Sequence, residues 1–233
     1  MNKIRPPVQI MPFGIRSLRE ADILQSSRIE RDSFPSPFQP TSFHRELKNK
    51  LSSYLIAWQK HNPDKTEYET QTRDCASPNN LKKNPVTNLL KYAVKVWDLN
   101  PSRTPSGQDT IVGFVGTWLV SNEAHIVSIA VSKNRRGRGI GELLLISAIE
   151  QAVSRHASHV TLEVRASNHI ALKLYKKYGF KRCGIRKSYY HNNHEDAIIM
   201  TVDSIQLPPF TRLLQKLRGN HCQRWGQPQT NPE

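Results

Sequence analysis

Cysteine is scarce in this chain: Cys75, Cys183 and Cys222 are the only three among 233 residues. Their wide spacing and odd number exclude a disulfide framework and a zinc-ligand pattern, and fit a protein kept in the reducing cytoplasm. Long apolar runs are missing as well. The longest lies near residues 143–149, far short of the roughly 20 residues that span a bilayer, so no membrane segment is expected. The first ten residues carry Lys3 and Arg5 but are interrupted by Pro6 and Pro7; without an apolar core they do not read as a signal peptide, and export is not expected. Acidic residues are outnumbered, 19 against 34 Lys and Arg, which leaves a formal charge of +15. Such an excess attracts polyanions, whether RNA, an acidic protein surface or a phosphorylated ligand, and by itself does not choose among them.

What remains is an ordinary globular composition, 37% hydrophobic and 23% charged, in a chain long enough for one sizeable core. Residues 1–58 read as strand, helix, helix, strand: a short opening strand at 13–15, a helix with Ile23, Leu24 and Ile29 as apolar positions, and a rigid loop through Phe34-Pro-Ser-Pro-Phe38. A second helix, capped by Thr41 or Ser42, runs to about residue 50, and a strand follows at 54–58. Residues 59–108 are rich in Asn, Pro, Lys and Thr and read as a polar, flexible insertion. Residues 109–203 resume a regular pattern. A hairpin over 110–131 leads to an amphipathic helix from Gly139, with Leu145, Ile146, Ile149, Ala152 and Val153 on one stripe. Then come a strand at 160–164, a short helix from His169 ended by Gly179, and strands at 180–186 and 196–202. Residues 204–233 read as a basic tail holding at most a short helix over 210–217.

The informative stretch is the turn between the second hairpin strand and the amphipathic helix, Arg135-Arg-Gly-Arg-Gly-Ile-Gly-Glu142. Three glycines free the backbone to crowd its N–H groups around an anion. At a helix N-terminus these unpaired donors and the helix dipole favour a diphosphate, with Arg135, Arg136 and Arg138 adding charge. A dinucleotide fingerprint fails in both registers, because Glu142 or Leu144 stands where its third glycine belongs. A nucleoside triphosphate loop is excluded by the absence of Gly-Lys-Ser/Thr anywhere in the chain. The alternative is a merely flexible basic turn.

Arg136-x-x-Gly139-x-Gly141 matches the Gln/Arg-x-x-Gly-x-Gly/Ala signature of the GNAT superfamily of acetyl-coenzyme A-dependent N-acetyltransferases. Around it, in order, stand Ile129-Ala-Val131, Leu162-Glu-Val-Arg-Ala-Ser-Asn168, Ala171-Leu-Lys-Leu-Tyr175, Tyr178-Gly-Phe180, Tyr189-Tyr190 and Glu195-Asp-Ala-Ile-Ile-Met200. Together they resemble the RimI family, bacterial enzymes that acetylate the N-terminal alanine of a small-subunit ribosomal protein. The resemblance covers roughly residues 110–202. It implies an α/β (α+β) fold: one GNAT-like domain whose mixed, mostly antiparallel sheet of about seven strands is flanked by helices and splayed between the fourth and fifth. It also implies acetyl-CoA as co-substrate, no metal, and a protein N-terminus as acceptor, with electrostatic contact to ribosome or RNA as an accompaniment. Other N-termini, lysine or a small amine are alternative acceptors, and a non-catalytic ribosome- or RNA-binding module is the alternative class.

An amine attacking a thioester needs a base, a polarised carbonyl and a proton for the departing thiolate. The resemblance assigns cofactor contacts to the backbone of Ile129, Ala130 and Val131, to Arg136, Gly137, Arg138, Gly139, Ile140, Gly141 and Glu142 of the turn, and to Asn168, which also suits a helix cap. Glu163 alternates with Leu162 and Val164 and so faces away from both; it is the candidate base, with Glu123 as understudy and a plain surface glutamate as the alternative. Tyr175 is the candidate acid, or else a core aromatic. Phe34, Phe38, Tyr189 and Tyr190 would border the acceptor amine, although Phe34 and Phe38 could equally staple two helices. His191-x-x-His194-Glu195 lacks a third ligand and does not read as a metal site.

Overall fold

A computed structural model of the chain describes residues 9–34, 39–60 and 109–230. The insertion expected over 59–108 lies, but for its edges, outside the described residues, as does Phe38. Its flanks, Met1–Gln59 and Thr110–Glu233, form one compact unit.

Alternating and continuous apolar runs give the strands β1 (Ile10–Ser17), β2 (Ser52–Gln59), β3 (Thr110–Val120), β4 (Glu123–Val131), β5 (His159–Arg165) and β7 (Glu195–Val202), and the polar, largely exposed β6 (Lys181–Tyr190) pairs with β7 at the sheet edge. A short β8 (Gln227–Gln229) completes an eight-stranded sheet in the order β6-β7-β5-β4-β3-β2-β1-β8. The helices are α1 (Ile23–Ser33), α2 (Phe43–Lys48), α3 (Ile140–Ser154), α4 (His169–Lys177) and α5 (Pro208–Trp225). Most pairings are antiparallel; β4–β5 and β1–β8 are parallel. The parallel pairing of β4 with β5 runs only from Glu123↔His159 to Ile126↔Leu162, after which the strands part. This is the expected splay.

The period-two alternation of a strand sends neighbouring side chains to opposite faces, so each face has its own core. On one face α3, α4 and α5 pack Leu144, Ile149, Tyr175 and Leu214 against Val160, Leu162 and Val164 of β5. On the other, α1 and α2 pack Ile29 and Phe43 against Tyr54, Ile56, Phe114 and Ala130. There Phe43 meets Tyr54 and Phe114 edge-on, each at 5.4 Å between ring centroids.

Two differences from the sequence reading share one cause. Residues after Ser204, read as a tail, carry the 18-residue helix α5, with Phe210, Leu214, Leu217 and His221 buried. The helix α3, read as having a single apolar stripe, buries Leu143, Leu144, Leu145 and Ile146 in succession. A helix needs so wide an apolar surface only when covered on two sides, here by the sheet and by α5. The strand count exceeds the expected one because β8, after α5, pairs with β1.

The second core depends on its aromatic cluster, in which Phe114 is fully buried. Phe114→Ala is expected to cost about 3–5 kcal/mol, read as a lower urea midpoint at unchanged slope.

Candidate active site

The turn ahead of α3 has the backbone the sequence implied. Gly137 and Gly139 have φ of 75° and 77°, the left-handed region that a side chain disfavours. Gly139 is the N-cap, and the first helical bond runs from Leu143 N–H to its carbonyl at 3.0 Å. Among the described residues, none of the amides from Gly137 to Glu142 donates a hydrogen bond within the protein. Unpaired donors at a helix N-terminus form an anion cradle. Arg138 is exposed beside it. Arg136 turns the other way: its Nε–H donates to the Val131 carbonyl at 3.0 Å, tying the turn to β4. The Glu142 side chain is likewise occupied within the protein, accepting from Lys177 Nζ at 2.6 Å and from the Tyr178 hydroxyl at 2.7 Å, so it links α3 to α4. Its part in an anion site is therefore left to its backbone N–H.

The splay adjoins this turn. Beyond Ile126, β4 pairs only with β3, so alternate amides between Val127 and Val131 face the gap. Val127 has no counterpart in the register between Ser128↔Gly116 and Ile126↔Thr117; this bulge re-aims the strand where the gap opens. Ile129 and Val131 then pack toward α3, and Ala130 toward the second core.

Glu163 points away from Leu162 and Val164, as alternation required. Its Oε2 lies 2.6 Å from Nε2 of His125 on β4, and its Oε1 accepts from Nε of Arg186 at 3.1 Å and lies 3.0 Å from Nη2 of the same guanidinium. The hydrogen bond from His125 and the charge of Arg186 outweigh partial burial and hold the carboxyl below its ordinary 4.5. A carboxylate can only accept, so Nε2 of His125 carries the proton between them, and in the neutral ring the lone pair is left on Nδ1. Nδ1 has no partner among the described residues, and the ring is 29% exposed. Glu123, the understudy, sits 3.5 Å from His159 at the far end of β4, away from the splay.

On the opposite face Tyr175 is almost wholly buried, its ring 5.8 Å from Phe180. Burial drives its phenol well above 10, and its hydroxyl has no hydrogen-bond partner among the described residues. Asn168 caps α4, its Oδ1 accepting from Ala171 N–H at 3.1 Å. Tyr189 and Tyr190 meet edge-on at the end of β6. Arg165 lies over the Tyr190 ring at 3.7 Å and pairs with Glu195 at 3.1 Å. Glu195 also accepts from Ser167 and Asn193 and is lowered to about 2, chiefly by the bond from Ser167. Burial, against the pull of Arg165, raises Tyr190 to about 12. Phe34 ends α1 and packs against the second core. Among the described residues no group of three or more His, Cys, Asp or Glu could hold a metal.

Four residues of consequence escaped sequence reasoning: His125, Arg186, His221 and Trp225, the last two against Gly139. The only local signal for His125 was its place between buried Ala124 and Ile126, which sends it to the face of Glu163; the pairing itself required the β4–β5 register.

The acetyltransferase (GNAT) family profile matches residues 72–180. A Bacillus subtilis protein provisionally named a ribosomal protein bS18-alanine N-acetyltransferase is 32% identical over 190 residues, 81% of this chain and 94% of the relative. The Salmonella typhimurium protein named ribosomal protein bS18-alanine N-acetyltransferase is 39% identical over 99 residues, 42% of this chain and 67% of its own. Among solved structures, the Escherichia coli ribosomal-protein-S18-alanine N-acetyltransferase superposes with a TM-score of 0.56 at 24% identity, covering 82% of this chain and 94% of that one. A chain of the NatC complex bound to Gag peptide and CoA gives 0.55 at 20% identity, over 83% and 99%. By sequence over nearly its whole relative, and by a sheet that splays beside a glycine turn, this chain belongs to the acetyltransferase (GNAT) family.

Proposed function

We propose that the chain transfers acetyl from acetyl-CoA to the α-amine of a protein N-terminus, the N-terminal alanine of a small-subunit ribosomal protein being the acceptor that the names of its relatives favour. One observation carries this reading: a gap between β4 and β5 with an unpaired amide cradle at its end and a histidine–carboxylate pair on its open face.

Bound acetyl-CoA would supply an activated acetyl group as its thioester. The amides of Gly137–Glu142, with Arg138, would hold its diphosphate, and the gap-facing amides of residues 127–131 the acetyl oxygen. Asn168 would border the same channel from the cap of α4. Acceptor and leaving group then lie on opposite faces. On the open face Nδ1 of His125, fixed by Glu163, takes the proton of the amine. Glu163, itself held below the usual carboxylate range, acts as the orienting anion. On the buried face Tyr175 stays protonated and donates to the departing sulfur. An α-amine titrates near 7.7–8, against about 10.4 for lysine, so modest base assistance suffices for an N-terminus and serves lysine poorly. Phe34, Tyr189 and Tyr190, with Phe38, would flank the incoming N-terminus. The charge of +15 adds long-range attraction to an RNA-rich ribosomal particle, and the reaction belongs in the cytoplasm. Among the described residues no helix is long and apolar enough to cross a membrane.

Mass spectrometry after incubation with acetyl-CoA and a peptide carrying the ribosomal N-terminus should show one added acetyl on the α-amine. An N-terminally blocked, lysine-containing peptide should stay unmodified; the reverse pattern would contradict the reading.

His125→Gln should lower kcat at saturating peptide by about 10²–10⁴. Glu163→Gln, which removes the orienting anion but leaves the imidazole, should lower kcat less than His125→Gln does. The folded pKa of Glu163 lies below 4.5, so its hydrogen bond from His125 and its ion pair with Arg186 stabilise the fold above that pH and are lost as pH falls through the depressed value. A His125→Gln variant that keeps wild-type kcat, with Glu163→Gln inactive, would make Glu163 itself the base.

A further inference from the structure

The helix α5 lays a continuous inner stripe along α3: Phe210, Leu214, Leu217, His221 and Trp225, at spacings of four, three, four and four. The first three are ordinary core residues. The fourth is a histidine only 2% exposed, at a position where a leucine would bury more cheaply. Its Nε2–H donates to the Gly139 carbonyl at 3.0 Å, while its Nδ1 is buried without a partner. That carbonyl thus accepts twice, from His221 and from Leu143 N–H. The fifth, Trp225, lies against the α-carbon of the same glycine: a β-carbon at Gly139 would stand 2.7 Å from Cδ1 and 2.8 Å from Nε1 of the indole. The Arg224 guanidinium lies over the indole, 4.9 Å from its ring centroid.

The segment that makes these contacts is anchored at both ends. Near its start, Gln206 donates to the carbonyls of Val153 and Ala157 at the end of α3. After Trp225 the chain turns through Gly226, at φ 92°, where a β-carbon would meet Gln9 and Met11 backbone atoms at 2.7 Å. It then pairs β8 with β1. Two side chains from an element fixed to α3 and to the sheet therefore converge on one left-handed glycine. The amides of that glycine and its neighbours are the unpaired donors of the turn.

We infer that His221 and Trp225 are positioning residues for acetyl-CoA. They act through Gly139, holding the left-handed peptide so that the amides of Gly137–Glu142 converge before the ligand arrives. The inference rests on the proposed role of the turn as the diphosphate site. Preorganised donors cost no ordering entropy on binding, so loosening them weakens affinity for CoA without touching the chemistry.

Calorimetric titration with CoA, and steady-state kinetics with peptide, test this in His221→Ala, His221→Gln and Trp225→Ala. The alanine variants should bind CoA about five- to tenfold more weakly, the loss expected for roughly one hydrogen bond or its equivalent in packing. Their kcat at saturating acetyl-CoA and KM for peptide should remain within about twofold of wild type. His221→Gln, whose amide can donate to the same carbonyl, should recover most of the loss. CoA affinity unchanged in both alanine variants overturns the inference, and so does a parallel decline of kcat, peptide KM and CoA affinity, which marks general loosening. Should Trp225→Ala fail to fold, His221→Ala against His221→Gln decides alone. A wild-type protein that binds no CoA overturns the diphosphate role and this inference together, whereas normal wild-type binding with unaffected variants overturns this inference only.

Discussion

Everything in the site depends on where the parallel pairing of β4 and β5 stops. Up to Ile126↔Leu162 the two strands are hydrogen-bonded, and a continuous ladder would leave no room for a ligand and no free amides. Past that pair the strands part beside the N-terminus of α3, and two consequences follow from the alternation of side chains alone. Glu163, one residue beyond the last pair, and His125, one residue before it, emerge on the same face. Tyr175, carried by α4, closes the other. A single interruption in one ladder thus separates the face that carries His125 and Glu163 from the face that carries Tyr175.

The electrostatics follow the same division. Carboxylates near the site are committed to internal partners: Glu142 to Lys177 and Tyr178, Glu163 to His125 and Arg186, Glu195 to Arg165. No acidic residue lies between Ala124 and Gly141. The cations of the turn are therefore not cancelled locally, and the surplus charge of the chain is expressed where a diphosphate would approach.

Much of this was legible in residue order. The turn could be read because glycine at positions 137, 139 and 141 is costly unless the backbone needs it, and two of the three adopt positive φ. Glu163 could be placed on its face because Leu162 and Val164 bracket it, and Asn168 was readable as a cap from its place before a helical stripe. What could not be read depends on contacts distant in sequence. The link from His125 to Glu163 spans 38 residues and exists only in one register of a parallel pair. The C-terminal element was obscured differently: Pro208-Pro209 and many polar residues resemble a tail, and a stripe that passes through His221 and Trp225 does not look apolar. Its trace was present in α3, whose run Leu143-Leu-Leu-Ile146 is wider than one packed face requires.

The central claim is that the unpaired amides ahead of α3, together with those facing the gap, hold the ligand. Backbone amide resonances of the protein, followed by NMR with and without CoA, test it most directly. The account predicts large shifts and slowed exchange confined to Gly137–Glu142 and to alternate residues of 127–131. Binding that leaves those amides unchanged, and perturbs another part of the surface, would contradict it.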